Sequence, residues 1–266
     1  MRIMTKLLAL MLALMLTACA ALAEDGDQLS DIQSKGEIVV ATEGAWAPWT
    51  YHDEAGTLVG FDVEVAQAIA AKLGVTATFA ETEWDGIFAG LDSGRYDIAA
   101  NGVEVTEERA RKYDFSTPYG YIRTALIVRG DNEDITSFED LNGKHTANSI
   151  ASTYMTLAES YGATAVGVDT LDQTIQMVLS GRADATLNAE VSFYDYMNAH
   201  PDANLKVVAL TDEASQVAIP LRKGEDSASL RAAVDQAIAE LRDEGELTRI
   251  SEKYFGKDIT VVPAEE

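Results

Sequence analysis

Ser-Gly-Arg-Tyr-Asp-Ile-Ala-Ala-Asn, residues 93–101, returns further along the chain as Ser-Gly-Arg-Ala-Asp-Ala-Thr-Leu-Asn, residues 180–188. Both copies lie where an amphipathic helical pattern gives way to a short apolar run. The plain reading is a shared junction, in which Gly ends the helix, Arg is solvated and Asp opens the strand. That accounts for four of the five identities. The two asparagines ask for more, because each falls at the carboxyl end of its strand, where open α/β sheets bind ligands. Two similar lobes face to face would put Asn101 and Asn188 on opposite walls of one cleft, a clamp for a small molecule.

Outward from these copies the chain alternates β-rich runs with amphipathic helices. Residues 37–42 read as a buried strand. A helix follows over 62–73, with Asp62 as its N-cap, one apolar face and Gly74 after its end. Residues 75–80 are a strand, 84–91 a short helix, 96–100 a strand, and Thr106 opens another helix before a strand at 125–128. After a polar turn at 130–134 the pattern restarts, with strands near 147, 166–168, 185–187 and 205–209 and helices from about Ser152, Thr170 and Glu190. A strand at 216–221 and two helices, the last stopped by Gly256, complete it. Such alternation predicts parallel sheets covered by helices.

Composition narrows the function. The 266 residues carry 20 Lys+Arg against 44 Asp+Glu, a formal charge of −24. So acidic a chain is repelled by phosphate backbones and anionic lipid, which argues against binding nucleic acid or a membrane surface. An apolar share of 47% supports a packed core, and one cysteine excludes an intrachain disulfide. His52, His145 and His200 are the only histidines, none at metal spacing. Gly143-Lys144-His145 fails the P-loop pattern, and neither G-x-S-x-G nor G-x-G-x-x-G occurs. No cofactor is implied.

The first 23 residues read as an address. Arg2 and Lys6 precede an unbroken apolar run over 7–16, too short to span a bilayer and suited to export. Leu16-Thr17-Ala18-Cys19 resembles a lipobox, which would acylate Cys19, whereas Ala21-Leu22-Ala23 resembles an ordinary cleavage site that would discard it. Loss of residues 1–18 leaves 18 − 44 = −26, so the exported body is acidic whichever cut is used.

Six ordered motifs then carry a resemblance. They are V-A-T-E-G-x-W-A-P-W (40–49), G-x-L-V-G-F-D-V-E-V-A-x-A-I-A (56–70), E-W-D-G-I-F-A-G-L-x-S-G-R-Y-D (83–97), T-x-E-R-x-x-K-Y-D-F-S-T-P-Y (106–119), L-R-K-G (221–224) and I-S-E-K-Y-F-G (250–256). From Gly36 to about Asp258 the chain resembles the family 3 extracellular solute-binding proteins of amino-acid ABC importers, nearest the cystine and polar-amino-acid branch. The resemblance implies a two-lobed periplasmic-binding-protein-like fold of type II, with two α/β lobes joined by two crossover strands. It places lobe 1 at 36–126 plus 216–258 and lobe 2 at 127–215, with a linker over 24–35 and a tail over 259–266. A monomer that closes on one polar or cationic amino acid, cystine among the candidates, would serve a membrane permease. The rivals are a sensor with the same clamp, and a dehydratase or lyase built on it with Glu104 as acid or base.

The resemblance also nominates site residues. Arg109 matches the carboxylate-binding arginine, whose guanidinium fork suits two oxygens; the plain alternative is an ion pair with Glu107 or Glu108. Asn101 and Gly102 match a ligand-contacting segment, and Asn188 its counterpart across the cleft. Trp46 and Trp84 match walls for the ligand side chain, while Trp49 reads as core. Glu43 matches an acidic position, and Glu104 would favour a ligand bearing positive charge. Ser152 and Thr153 match a helix N-terminus that takes an anion, with Ser149 just before them as a wall. The family's ammonium-binding Asp is replaced by Ala189, so either Glu190 or Glu104 takes over that group or the ligand lacks an ordinary α-amino group.

Overall fold

A computed structural model of the chain describes residues 27–263. The expected address segment and Cys19 lie outside the described residues.

Lobe 1 is built on strand Glu37–Thr42, which pairs in parallel with Thr76–Glu81 on one side and Ile98–Ala99 on the other. Its side chains alternate between faces, as the pleat requires. Ile38 and Val40 join Val65, Ala66 and Ile69 of helix Phe61–Lys72, while Val39 and Ala41 meet Ile87 and Leu91 of helix Trp84–Asp92. Leu230, Val234 and Ile238 of helix Ala228–Asp243 return the C-terminal part of the chain to the first of these faces.

Lobe 2 is a five-stranded sheet in the order Thr164–Val168, His145–Ser149, Ala185–Ala189, Thr124–Arg129, Leu205–Leu210. The first three strands run parallel, but Thr124–Arg129 is antiparallel to both its neighbours. The expectation of all-parallel sheets therefore fails here, because Thr124–Arg129 enters from lobe 1 against the direction of the other strands.

The repeated nonapeptide makes the same junction in both lobes. Gly94 and Gly181 hold left-handed φ values of 69° and 71°. Asp97 accepts from Val39 N at 2.8 Å, and Asp184 accepts from His145 N at the same distance. Each aspartate thus fixes its strand beside a parallel neighbour.

Two short antiparallel pairs carry the chain between lobes and back: Gly120–Ile122 with Ser215–Val217, and Tyr113–Phe115 with Pro220–Arg222. The single strand expected over 216–221 is two, because its ends pair with different strands and, between them, Ala218 N and Ile219 N donate to Val103 O and Ser116 Oγ.

Three expectations are corrected. The supposed linker 24–35 contains the helix Gln28–Lys35, held by fully buried Ile32 and ended by left-handed Gly36. The supposed tail begins in the core: Ile259 and Thr260 are buried, and Ile259 O accepts from Tyr121 N at 2.7 Å. Asp62 is not a cap; Gly60 is, at φ 137°, where a Cβ would fall 2.2 Å from Trp49 O. Asp62 is instead wholly buried one position inside the helix.

Candidate functional site

The carboxyl ends of both sets of strands open onto one cavity between the lobes, holding about 500 Å³ of space with its mouth included. Eleven of the twelve residues nominated from sequence line it.

On the lobe 1 wall, Asn101 closes the strand that precedes it. Its Oδ1 accepts from Glu43 N at 2.8 Å and its Nδ2 donates to Glu43 Oε2 at 2.6 Å, so one side chain fixes both ends of Glu43. Burial raises the Glu43 carboxyl above its usual range, against the lowering effect of that amide. Gly102 follows at φ 57°, with Trp46 where a Cβ would stand. Its N–H donates to buried Asp62, whose other oxygen accepts from Tyr119 Oη at 2.7 Å. Among the described residues no cation pairs with Asp62, and burial pushes its pKa to about 7. The segment 103–105 then runs along the crossing strand: Val105 N donates to Gln216 O at 2.9 Å and Ala218 N to Val103 O at 3.1 Å. This pairing fixes Glu104.

Arg109 stands in the first turn of helix Glu107–Lys112, capped by Thr106 Oγ1, which accepts from Arg109 N. Its guanidinium lies 5.1 Å from the Trp84 ring centre and 5.4 Å from that of Phe88, and Nη1 donates to Glu104 O at 2.9 Å. Burial lowers its pKa, opposed by the charge of Glu104. The fork is thus stacked on one side and braced at one nitrogen. The ion pairs considered with Glu107 and Glu108 do not form; Glu107 pairs with Arg111 instead.

On the lobe 2 wall, the chain turns at Ser149–Ser152 with Ala151 at φ 57°, then starts helix Thr153–Ser160. Ser152 Oγ accepts from Met155 N, so it is a genuine cap as well as a cavity wall. Thr153 Oγ1 donates to Glu104 Oε1 at 2.7 Å, and Trp84 Nε1 donates to Ala151 O at 3.4 Å. Both contacts span the lobes at the cleft. Asn188 is buried, with its Oδ1 accepting from Ala189 N. Trp49, as expected, is core: it is fully buried and stacked 5.3 Å from Trp46.

Glu190 is the exception. It begins helix Glu190–Ala199 but faces out of the cavity, where its carboxylate pairs with Lys257 at 2.8 Å. A carboxylate already neutralised there is not free to hold a ligand's ammonium. Sequence reasoning missed Ala45, Tyr154, Asp169, Thr170 and Leu171. The rule that found Asn101 would also have found Asp169 and Thr170, which directly follow strand Thr164–Val168.

The residues between 38 and 257 match the family model described as bacterial extracellular solute-binding proteins, family 3, and the chain belongs to that family. It is the substrate-binding component of an ABC importer of the amino-acid class, and it is exported. It is 40% identical over 239 residues to the L-cystine-binding protein TcyA of Bacillus subtilis (strain 168), covering 90% of this chain and 88% of that one. An ancestral arginine-binding protein bound to arginine superposes with a TM-score of 0.78 at 35% identity, over 83% of this chain and 99% of the other. The L-cystine solute receptor of Neisseria gonorrhoeae, in its unliganded open conformation, is 40% identical over 89% of this chain and 99% of its own, yet its TM-score is 0.61. The arginine-bound neighbour superposes better than the unliganded open one, although the latter is nearer in sequence.

Proposed function

We propose that the cleft captures one zwitterionic amino acid, by closure of the lobes and without turnover. The observation that carries this reading is Arg109, braced by Glu104 O and stacked on Trp84, opposite the start of helix Thr153–Ser160. A guanidinium fork and a helix N-terminus converging on one space suit a carboxylate. Glu104 takes the ammonium that Ala189 cannot, since Glu190 is occupied by Lys257. Trp46 and Trp84 wall the side chain. Cystine is the first candidate, supported by the cystine-binding relatives. The protein acts as a monomer, delivers its ligand to a membrane permease, and is tethered through an acylated Cys19.

Calorimetry against the amino acids and cystine tests the reading. One ligand should bind at a stoichiometry near one, be recovered unchanged, and lose all measurable binding in Arg109→Ala. Recovery of a converted product would instead favour an enzyme. Mass spectrometry of the mature N-terminus tests the tether: an acylated Cys19 supports it, and a chain starting at Glu24 removes it.

A further inference from the structure

Glu104 comes from lobe 1, and its carboxylate is held from lobe 2. Its backbone is fixed by a bridge to Val217 and by Arg109 Nη1, which donates to Glu104 O at 2.9 Å. Neither contact decides where the carboxylate points, because a glutamate side chain turns about several torsions. Two hydroxyls decide it. Thr153 Oγ1 donates to Oε1 at 2.7 Å, and the hydroxyl of the next residue, Tyr154, lies in hydrogen-bonding contact with the same carboxylate.

The tyrosine is the better anchored of the two. It is 6% exposed, and its ring belongs to the apolar cluster that holds Ala158, Leu187 and Ala189. Its hydroxyl also reaches the backbone N–H of Ala189, at the end of strand Ala185–Ala189. In such a cluster a phenylalanine would pack as well, and a buried hydroxyl costs stability unless its partners offset the loss of water. Burial, joined by the charge of Glu104, raises the phenol well above its ordinary range, so it stays protonated and donates to the carboxylate. A carboxylate has room for about four donors. Two hydroxyls leave lone pairs free toward the cavity, which Glu104 and Tyr154 both line.

We infer that Tyr154 is a positioning residue for ammonium recognition: its hydroxyl, anchored in lobe 2, holds the Glu104 carboxylate of lobe 1 toward the cavity, so the ammonium site is complete only while the lobes are together. This rests on the reading above, in which Glu104 takes the ligand's ammonium, and adds a residue that acts through Glu104. The amino group is then sensed in the closed state, and loss of the hydroxyl quickens ligand release more than it slows capture.

Tyr154→Phe removes the hydroxyl and keeps the ring, and a thermal melt shows that the variant is folded. Two pairs of probes isolate the ammonium: L-cystine against dithiodipropionate, and L-arginine against δ-guanidinovalerate, each analogue lacking the α-amino groups of its parent. By competition calorimetry the native protein should prefer the parent of at least one pair by about tenfold or more. Tyr154→Phe should shrink that preference about three- to tenfold, through loss of the parent's affinity. In a Glu104→Gln background the same substitution should change the parent's affinity by less than about twofold, because the group it positions is gone. A role confined to packing or closure would weaken parent and analogue equally. That result, an unchanged parent affinity in Tyr154→Phe, or an undiminished effect in the Glu104→Gln background, would overturn the inference and leave the amino-acid reading standing. A native protein that binds parent and analogue alike would overturn the ammonium role of Glu104 and the inference with it. Failure of every zwitterion to bind would overturn the amino-acid reading itself.

Discussion

Arg109 shows how far one side chain's chemistry decides the site. Its guanidinium is held in place because the Trp84 and Phe88 rings lie at cation–π distance and Glu104 O braces one nitrogen. Lysine keeps the charge but can neither fork nor stack in that way. Arg109→Lys should therefore weaken ligand binding by about 100-fold, or roughly 3 kcal/mol, with little change in melting temperature; calorimetry beside a thermal melt checks both. Asp62 works one layer behind. Its carboxylate, buried without a cation, holds Gly102 N and Tyr119 Oη, and burial lifts its pKa from 3.8 to about 7. The native protein thus keeps a proton that the unfolded chain releases above about pH 4. Stability from this group is fully present below about pH 4 and is lost as pH rises to about 7, by on the order of 4 kcal/mol. In Asp62→Asn the amide can accept from Gly102 N and donate to Tyr119 Oη, so the variant should lose markedly less stability between pH 5 and pH 8. Urea unfolding at the two pH values measures the difference, and parallel curves for both proteins would remove the buried charge as its cause. Residues such as Arg109 and Asn101 were legible because a motif or a strand end announces them. Tyr154 was not, since nothing in a helical Thr-Tyr-Met run tells that this buried ring reaches the cavity. Glu190 misled because adjacency to Ala189 does not fix direction: the helix begins there and turns its carboxylate toward Lys257.

Helix Thr153–Ser160 carries two duties at one end. Ser152 satisfies Met155 N, and the remaining N–H groups of the first turn are left for an anion. Substitutions can separate the duties. Ser152→Ala removes the cap and should cost about 1 kcal/mol of stability. Ser152→Asp keeps an equivalent cap acceptor, so its melting temperature should stay near the native value, but its charge would repel a ligand carboxylate and lower affinity at least tenfold. Loss of stability without loss of affinity in the second variant would show that this helix end does not face the anion. At the level of elements the sequence was readable wherever local chemistry suffices. Gly94 and Gly181 end their helices, and Asp97 and Asp184 pin neighbouring strands through identical contacts. It was less readable where long-range pairing decides. Helix Gln28–Lys35 has few apolar residues, and only its docking through Ile32 reveals it. The reversed direction of Thr124–Arg129 depends on the chain's passage between lobes, which periodicity does not encode.

The whole molecule works by closing, and closure is a balance between the interlobe contacts and the solvation of an open cleft. At the mouth, Thr153 meets Glu104 and Trp84 meets Ala151, both at the rim of the cavity. Behind the cavity two further contacts join the lobes: Lys257 with Glu190 at 2.8 Å, and Trp49 Nε1, which donates to Ser192 Oγ at 3.0 Å. The last is the most consequential, because Trp49 is wholly buried and Ser192 is 1% exposed. When the lobes part, water can reach the indole N–H; when they meet, Ser192 is its partner. Ser192→Ala leaves that N–H unsatisfied in the closed form alone, at a cost of about 1–3 kcal/mol. Since ligand binds the closed form, the apparent affinity should fall by about 5- to 100-fold, with the loss appearing mostly in faster ligand release. Small-angle scattering should show the liganded variant needing more ligand than the native protein to reach the same compact radius of gyration. Unchanged affinity and an unchanged scattering titration would mean that the Trp49–Ser192 bond persists in the open form, and that closure is governed at the mouth by the ligand and its carboxylate partners.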